Sequence, residues 1–147
     1  ETIFLITGEG RLIKELQELI FKLNLDDKII LTGYVNEIYK IYGIIDVLVS
    51  TSLWEGLPYV FLEAMKYKKA IIATDIGNDS TIIHDETGFI TPVSDYKYIA
   101  GKIINLIENK QIAIQMGQKG LERLTQKYSF EEFINQHEIV YKKGNRP

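Results

Sequence analysis

Ser50-Thr51-Ser52-Leu53-Trp54-Glu55-Gly56-Leu57-Pro58-Tyr59-Val60-Phe61-Leu62-Glu63-Ala64-Met65, continuing through Lys66-Tyr67-Lys68-Lys69 into Ala70-Ile71-Ile72-Ala73-Thr74, is the stretch that decides the fold. An apolar run, Ile44, Ile45 and Val47 to Val49, leads into it and ends in hydroxyl residues. Gly56 breaks the chain, and a helix is expected to restart with Pro58 in its first turn, because proline has no N–H to leave unpaired and its fixed φ suits a helix start. The order is strand, loop, helix, strand. In such a unit the loop at the strand's carboxyl end and the first N–H groups of the helix form a site for an anion, usually a phosphate.

Two carboxylates frame this turn. Nearly every residue between Leu57 and Met65 is apolar, so the helix is expected to be buried on most sides and Glu63 to need a partner. Two readings are open. In one, Glu63 pairs with Lys66 or reaches the surface, and Glu55 is an ordinary loop acid. In the other, Glu55 and Glu63 hold hydroxyl groups on either side of a bound phosphate, the arrangement a nucleotide sugar requires.

Outward from this stretch the pattern repeats. Ile3 to Ile6 reads as a buried strand, Thr7-Gly8-Glu9-Gly10 as its turn, and Leu12, Leu16, Leu19, Ile20 and Leu23 as one face of a helix. Gly8-Glu9-Gly10 is a partial dinucleotide fingerprint, but Ile13 stands where its third glycine belongs, so the glycines are read as a tight strand-to-helix turn. A second strand is expected at Ile29 to Thr32, followed by Gly33-Tyr34-Val35 and a short helix bearing Ile38, Ile41 and Tyr42. The third strand runs from Asp46 to Val49 and the fourth from Ile71 to Thr74. Short continuous apolar runs alternating with helical pattern predict a doubly wound, parallel α/β sheet in a single domain.

After the fourth strand, Asp75 to Ser80 reads as a loop, Thr81-Ile82-Ile83 as a short helical turn, and Gly88 to Thr91 as a last strand ending at Pro92. Three helices follow: Tyr98 to Ile107 after a cap at Ser94 or Asp95, Ile112 to Tyr128 with Met116 and Leu124 inward, and Phe130 to Tyr141 capped by Ser129 with Glu132 three residues on. Lys142 to Pro147 reads as a tail.

Composition narrows the function classes. The 147 residues suffice for one domain, and 46% hydrophobic with 25% charged residues is ordinary for a globular chain. No apolar run approaches the ~20 residues of a membrane helix. A net charge of −3 gives no electrostatic footprint for nucleic acid. The chain has no cysteine, which removes disulfides, thiolate metal sites and cysteine nucleophiles. His84 and His137 stand alone, without a second ligand at metal spacing. The chain opens on Glu1 and goes at once into an apolar run, as a piece of a longer polypeptide would.

Glu55-Gly56-Leu57-Pro58 followed by Glu63-Ala64-Met65 resembles the E-x7-E signature of the retaining glycosyltransferases of GT-B fold, in the large family four. Leu5-Ile6-Thr7-Gly8-Glu9-Gly10, Ile29-Ile30-Leu31-Thr32-Gly33-Tyr34-Val35, Asp46-Val47-Leu48-Val49-Ser50 and Thr87-Gly88-Phe89-Ile90 follow the family's order as well. The resemblance implies a Rossmann-like sheet, the C-terminal donor-binding half of a two-domain enzyme, with the acceptor domain and the first strand of this half upstream. It implies that Glu63 binds the ribose hydroxyls, that Glu55 lies beside the transferred sugar as catalytic and positioning residue, that Gly56, Leu57, Pro58 and Tyr59 form the substrate-binding turn with the backbone N–H groups of Leu57 and Tyr59 meeting sugar and phosphate, and that Gly33, Tyr34 and Val35 lie near the base.

The same resemblance implies a nucleotide-diphosphate sugar as donor, no cofactor and no metal. The acceptor would be a sugar, lipid-linked sugar or glycan held by the other domain, in polysaccharide or glycolipid synthesis. Cytoplasmic placement is expected, with any contact to the inner face of a membrane made through that domain. Three features depart from the family: Lys68 and Ala70 stand where it has Gly and Pro, Gly77-Asn78 and Thr81 where it has a glycine pair and Glu, and its upstream Arg and Lys would precede Ile3. Two other functions stay open, a sugar-nucleotide epimerase or hydrolase half-domain and a nucleotide-binding module without chemistry.

Overall fold

Among the described residues five apolar runs form strands, and their pairings are parallel. The computed structural model describes residues 2–56, 58–77 and 80–144 and divides into two units, Glu1–Ile38 and Tyr39–Pro147.

In the first unit, β1 (Phe4–Thr7) and β2 (Ile29–Gly33) pair through the intervening helix α1 (Ile13–Lys22). Phe4 lies opposite Ile29 and Ile6 opposite Leu31, after which the register slips so that Thr7 faces Gly33. The end of α1 is a left-handed cap: Asn24 adopts φ 54° and the Leu25 N–H returns to the Ile20 carbonyl at 3.0 Å. Asparagine is among the few non-glycine residues that take this conformation readily.

The second unit holds α2 (Ile38–Ile44) from its second residue on, β3 (Val47–Ser50), α3 (Tyr59–Lys66), β4 (Ala70–Thr74), β5 (Gly88–Thr91), α4 (Tyr96–Glu108), α5 (Lys110–Lys127) and α6 (Phe130–Gly144). Its sheet has the order β3-β4-β5. Central β4 is buried at every position, and the two-residue period of a strand divides it between two faces. Ala70 and Ile72 meet Phe89, Leu106 and Met116, with Val47, Ile99, Ile103 and Ala113 packed around them. On the other face, Ala73 shares a small cavity with Phe61, Ile82 and Ile90.

Helix α5 approaches α3 closely because it carries glycines where they meet. A Cβ on Gly117 would collide with the Lys68 carbonyl, and one on Gly120 would lie 3.2 Å from the Met65 Cγ. No helix among the described residues is long and apolar enough to cross a membrane.

Three local expectations are corrected. Pro58 is the N-cap of α3 (φ −75°, ψ 97°) rather than a residue of its first turn. Thr81 to Ile83 is not a helical turn, since its backbone groups are satisfied from outside: Arg123 donates to the Thr81 carbonyl at 2.9 Å and to the Ser80 carbonyl at 2.5 Å, and the Ile83 N–H donates to the Thr87 Oγ1 at 2.8 Å. At α6 the Ser129 Oγ does accept the Glu132 N–H at 3.1 Å, but the Glu132 carboxylate takes its hydrogen bond from Gln136 at 2.8 Å. The cap at α4 is Asp95, whose Oδ1 accepts the Tyr98 N–H at 2.9 Å.

Candidate functional site

The carboxyl ends of β3 and β4 are adjacent, with Ser50 paired to Ala73, and the loop leaving β3 is tied down there. The Thr74 hydroxyl donates to the Ser52 carbonyl. Ser52 Oγ in turn donates to Glu55 Oε1 at 3.0 Å and lies 3.5 Å from Ser50 Oγ. Glu55 is exposed and oriented by its own loop. A carboxylate so placed keeps one oxygen for a ligand hydroxyl.

Pro58 is buried and supplies no capping side-chain bond, while its carbonyl takes the Phe61 N–H at 2.9 Å. The start of α3 therefore has no side-chain acceptor on its first N–H groups, as is also the case at α1 and α5. Gly56 and Tyr59 flank this start and are exposed, Tyr59 at 71%. Leu57 lies outside the described residues.

Glu63 corrects the expectation of a carboxylate on a helix buried nearly all round. Phe61, Ala64 and Met65 are buried, whereas Tyr59, Glu63 and Lys66 are exposed. The 3.6-residue period places those three on one face despite the apolar surroundings in sequence. Its partner is also different from Lys66. The Tyr42 hydroxyl, from α2, donates to Glu63 Oε2 at 2.8 Å. Tyr42 is 3% exposed and its ring stacks on Tyr67, with centroids 5.6 Å apart and planes 18° from parallel. Burial first, and then the hydrogen bond and charge of Glu63, push the phenol's pKa well above the ordinary tyrosine value.

In the first unit, Gly33 closes β2 with φ 65°, a conformation costly for a side-chain-bearing residue. The Gly8 N–H donates to its carbonyl at 2.8 Å, so the loops after β1 and β2 are joined. An open recess beside them is lined by Gly8, Glu9, Gly10, Ile13, Thr32 and Gly33 among others. Tyr34 is 73% exposed and Val35 half-buried. These residues belong to one unit and the Glu55 to Glu63 segment to the other.

Tyr42, Ser52 and Thr74 were not singled out as site residues by sequence. The Ser52-x-x-Glu55 spacing is a local signal, since hydroxyl and carboxylate three residues apart commonly meet around a turn. Tyr42 offered none, standing 21 residues from Glu63. His84 is structural: its Nδ1 accepts the Ile90 N–H at 3.0 Å. Among the described residues no group of three or more His, Asp and Glu side chains is placed to hold a metal ion.

The sequence model of the glycosyl transferases group 1 matches residues 1–123. The chain is 31% identical over 133 residues to the poly(ribitol-phosphate) alpha-N-acetylglucosaminyltransferase of Staphylococcus aureus (strain COL), covering 89% of this chain and 27% of the relative. A crystal structure of a point mutant of S. aureus TarM in complex with Fondaparinux, alpha-GlcNAc-glycerol and UDP superposes with a TM-score of 0.84 at 29% identity, over 90% of this chain and 28% of that one. The C-terminal domain of a glycosyl transferase group 1 family protein (LpcC) from Francisella tularensis superposes with a TM-score of 0.76 at 32% identity, over 83% of this chain and 66% of that domain. The chain spans 27% to 36% of the length of the first curated relatives it matches. A family match over most of the chain, and parallel α/β architecture shared with GT-B glycosyltransferases, make this chain a member of the glycosyl transferases group 1.

Proposed function

We propose that this chain is the donor-binding half of a retaining glycosyltransferase, taking a nucleotide-diphosphate sugar and presenting its glycosyl group to an acceptor held elsewhere in a longer protein. The observation that carries the reading is the pair of oriented carboxylates around an N-terminus without a capping side chain: Glu55 held by Ser52 before α3, and Glu63 held by Tyr42 within it. UDP in the TarM complex supports the nucleotide class.

Each group has a role that follows from its chemistry. Glu63 accepts the ribose hydroxyls, for which a carboxylate has the right acceptor capacity. The first N–H groups of α3 face the diphosphate, and the helix dipole favours the negative charge that builds there as the glycosidic bond to phosphate breaks. That stabilisation assists departure of the diphosphate with no metal required of the chain. Glu55 holds hydroxyls of the transferred sugar so that its anomeric carbon stays aligned with the incoming acceptor. The acceptor, a sugar, lipid-linked sugar or glycan of polysaccharide or glycolipid synthesis, and any contact with the cytoplasmic face of a membrane belong to the other half. Membership of a transferase family favours this reading over an epimerase or hydrolase.

The test is Glu55→Gln in the intact protein, with UDP affinity and transfer measured side by side across a panel of nucleotide sugars. UDP affinity should stay nearly unchanged while kcat/KM falls by about 10²-fold or more, because lost positioning of the sugar appears in the rate. If UDP binding weakens as much as transfer does, Glu55 is a nucleotide ligand and the sugar-site assignment is withdrawn.

A further inference from the structure

We propose that Tyr42 is a positioning residue for Glu63, fixing one carboxylate oxygen so that the other is held out to the ribose hydroxyls. The inference rests on the nucleotide-sugar reading above and adds to it a residue that recognises ribose without touching it.

An exposed glutamate on a helix surface ordinarily samples several rotamers, and a ligand that needs one of them must overcome that freedom. Here the freedom is already removed. Tyr42 Oη donates its single proton to Glu63 Oε2 at 2.8 Å. The donor itself is not free to move: its ring is 3% exposed and stacked on Tyr67, so the hydroxyl is fixed by packing and not by the carboxylate it serves. The result is asymmetric. Oε2 is engaged from the protein side, while Glu63 itself is exposed and lies one turn along α3 on the same helix face as Tyr59, the first residue of that helix.

A second consequence concerns what Glu63 can bind. With Oε2 already accepting a strong hydrogen bond, most of the remaining acceptor capacity is at Oε1, which suits one or two adjacent hydroxyls approaching from one side. A vicinal diol such as that of ribose meets this requirement. Burial together with the adjacent carboxylate keeps the phenol protonated, so the donor persists through the pH range in which an enzyme works.

The experiment measures, in the intact protein, the affinity for UDP and for 2′,3′-dideoxy-UDP by calorimetry in the wild type, Tyr42→Phe and Glu63→Gln. Tyr42→Phe keeps the ring and its stack and removes only the hydroxyl. It should weaken UDP by about fivefold, the scale of one net hydrogen bond, and leave the dideoxy nucleotide unaffected. Glu63→Gln should weaken UDP by about tenfold or more, again with the dideoxy affinity unchanged. In transfer assays Tyr42→Phe should raise donor KM with kcat nearly preserved, a split that general loosening of the fold would not produce. The UDP to dideoxy-UDP ratio is a property of folded molecules alone, so it reports correctly even if the variant is partly unfolded. If Glu63→Gln loses the ratio and Tyr42→Phe keeps it, the positioning role is overturned while Glu63 remains the ribose ligand. If Glu63→Gln keeps the ratio, the ribose site itself is refuted and the role of Tyr42 falls with it.

Discussion

Tyr42 also gives the protein an alkaline limit that can be measured without any ligand. In the folded state its phenol holds its proton, first because it is buried and then because Glu63 accepts that proton and would repel a phenolate. In the unfolded chain the same group titrates at about pH 10. Above that pH the unfolded state releases a proton that the folded state keeps, so the contribution of Tyr42 is complete below about pH 10 and is lost as the pH rises further. Chemical denaturation at a series of pH values should therefore show stability falling above about pH 10 more steeply in the wild type than in Tyr42→Phe. Equal slopes would mean that the phenol titrates alike in both states.

At the scale of elements, the approach of α5 to α3 depends on a missing side chain. Gly117→Ala places a Cβ against the Lys68 carbonyl, and backbone cannot step aside as the end of a flexible side chain does. Loss of about 1–3 kcal/mol or more is expected, the scale of overpacking. Gly101 in α4 is the matched control, because a Cβ there meets nothing within 4 Å. Gly101→Ala should stabilise by about 0.5–1 kcal/mol through helix propensity alone. Thermal melts of the two variants decide the matter, and a neutral Gly117→Ala would show that α5 can shift away from Lys68.

For the whole molecule, the proposal that this chain is one half of an enzyme carries its own prediction. It spans 27% to 36% of its first curated relatives, and the acceptor and the cations that would neutralise a diphosphate are assigned to the remainder. The purified 147-residue chain should therefore bind UDP weakly and transfer no sugar to any acceptor, since charge-assisted phosphate contacts supply much of such affinity. Turnover by this chain alone would overturn the division of labour.

Sequence by itself determined the features that depend on neighbours along the chain. Short continuous apolar runs alternating with helical pattern sufficed for parallel α/β architecture, and β4 is buried at every position as strands covered on both faces are. The buried strand expected at Ile3 to Ile6 is corrected, since Phe4, Ile6 and Thr7 of β1 are exposed. The cap at Ser129 was legible because its side chain bonds an N–H three residues on, whereas sequence narrowed the cap of α4 to Ser94 or Asp95 and the structure decided for Asp95. The two carboxylates eight positions apart around a glycine and a proline, together with the ordered blocks on either side, pointed to the family whose model matches residues 1–123. Tertiary structure alone decided what holds those carboxylates and what fills the gaps. Tyr42 reaches Glu63 across 21 positions, and Arg123 reaches the Ser80 and Thr81 carbonyls across more than 40. Thr81 to Ile83 looked helical because nothing local signals that the Thr81 carbonyl will accept from Arg123 of α5 and the Ile83 N–H donate to the Thr87 hydroxyl. Glu63 looked buried because its neighbours in sequence are apolar, whereas exposure is set by which face of the helix a residue occupies and by what packs there. Pairings of this kind are fixed by the folded chain's geometry, and no periodicity in the sequence records them.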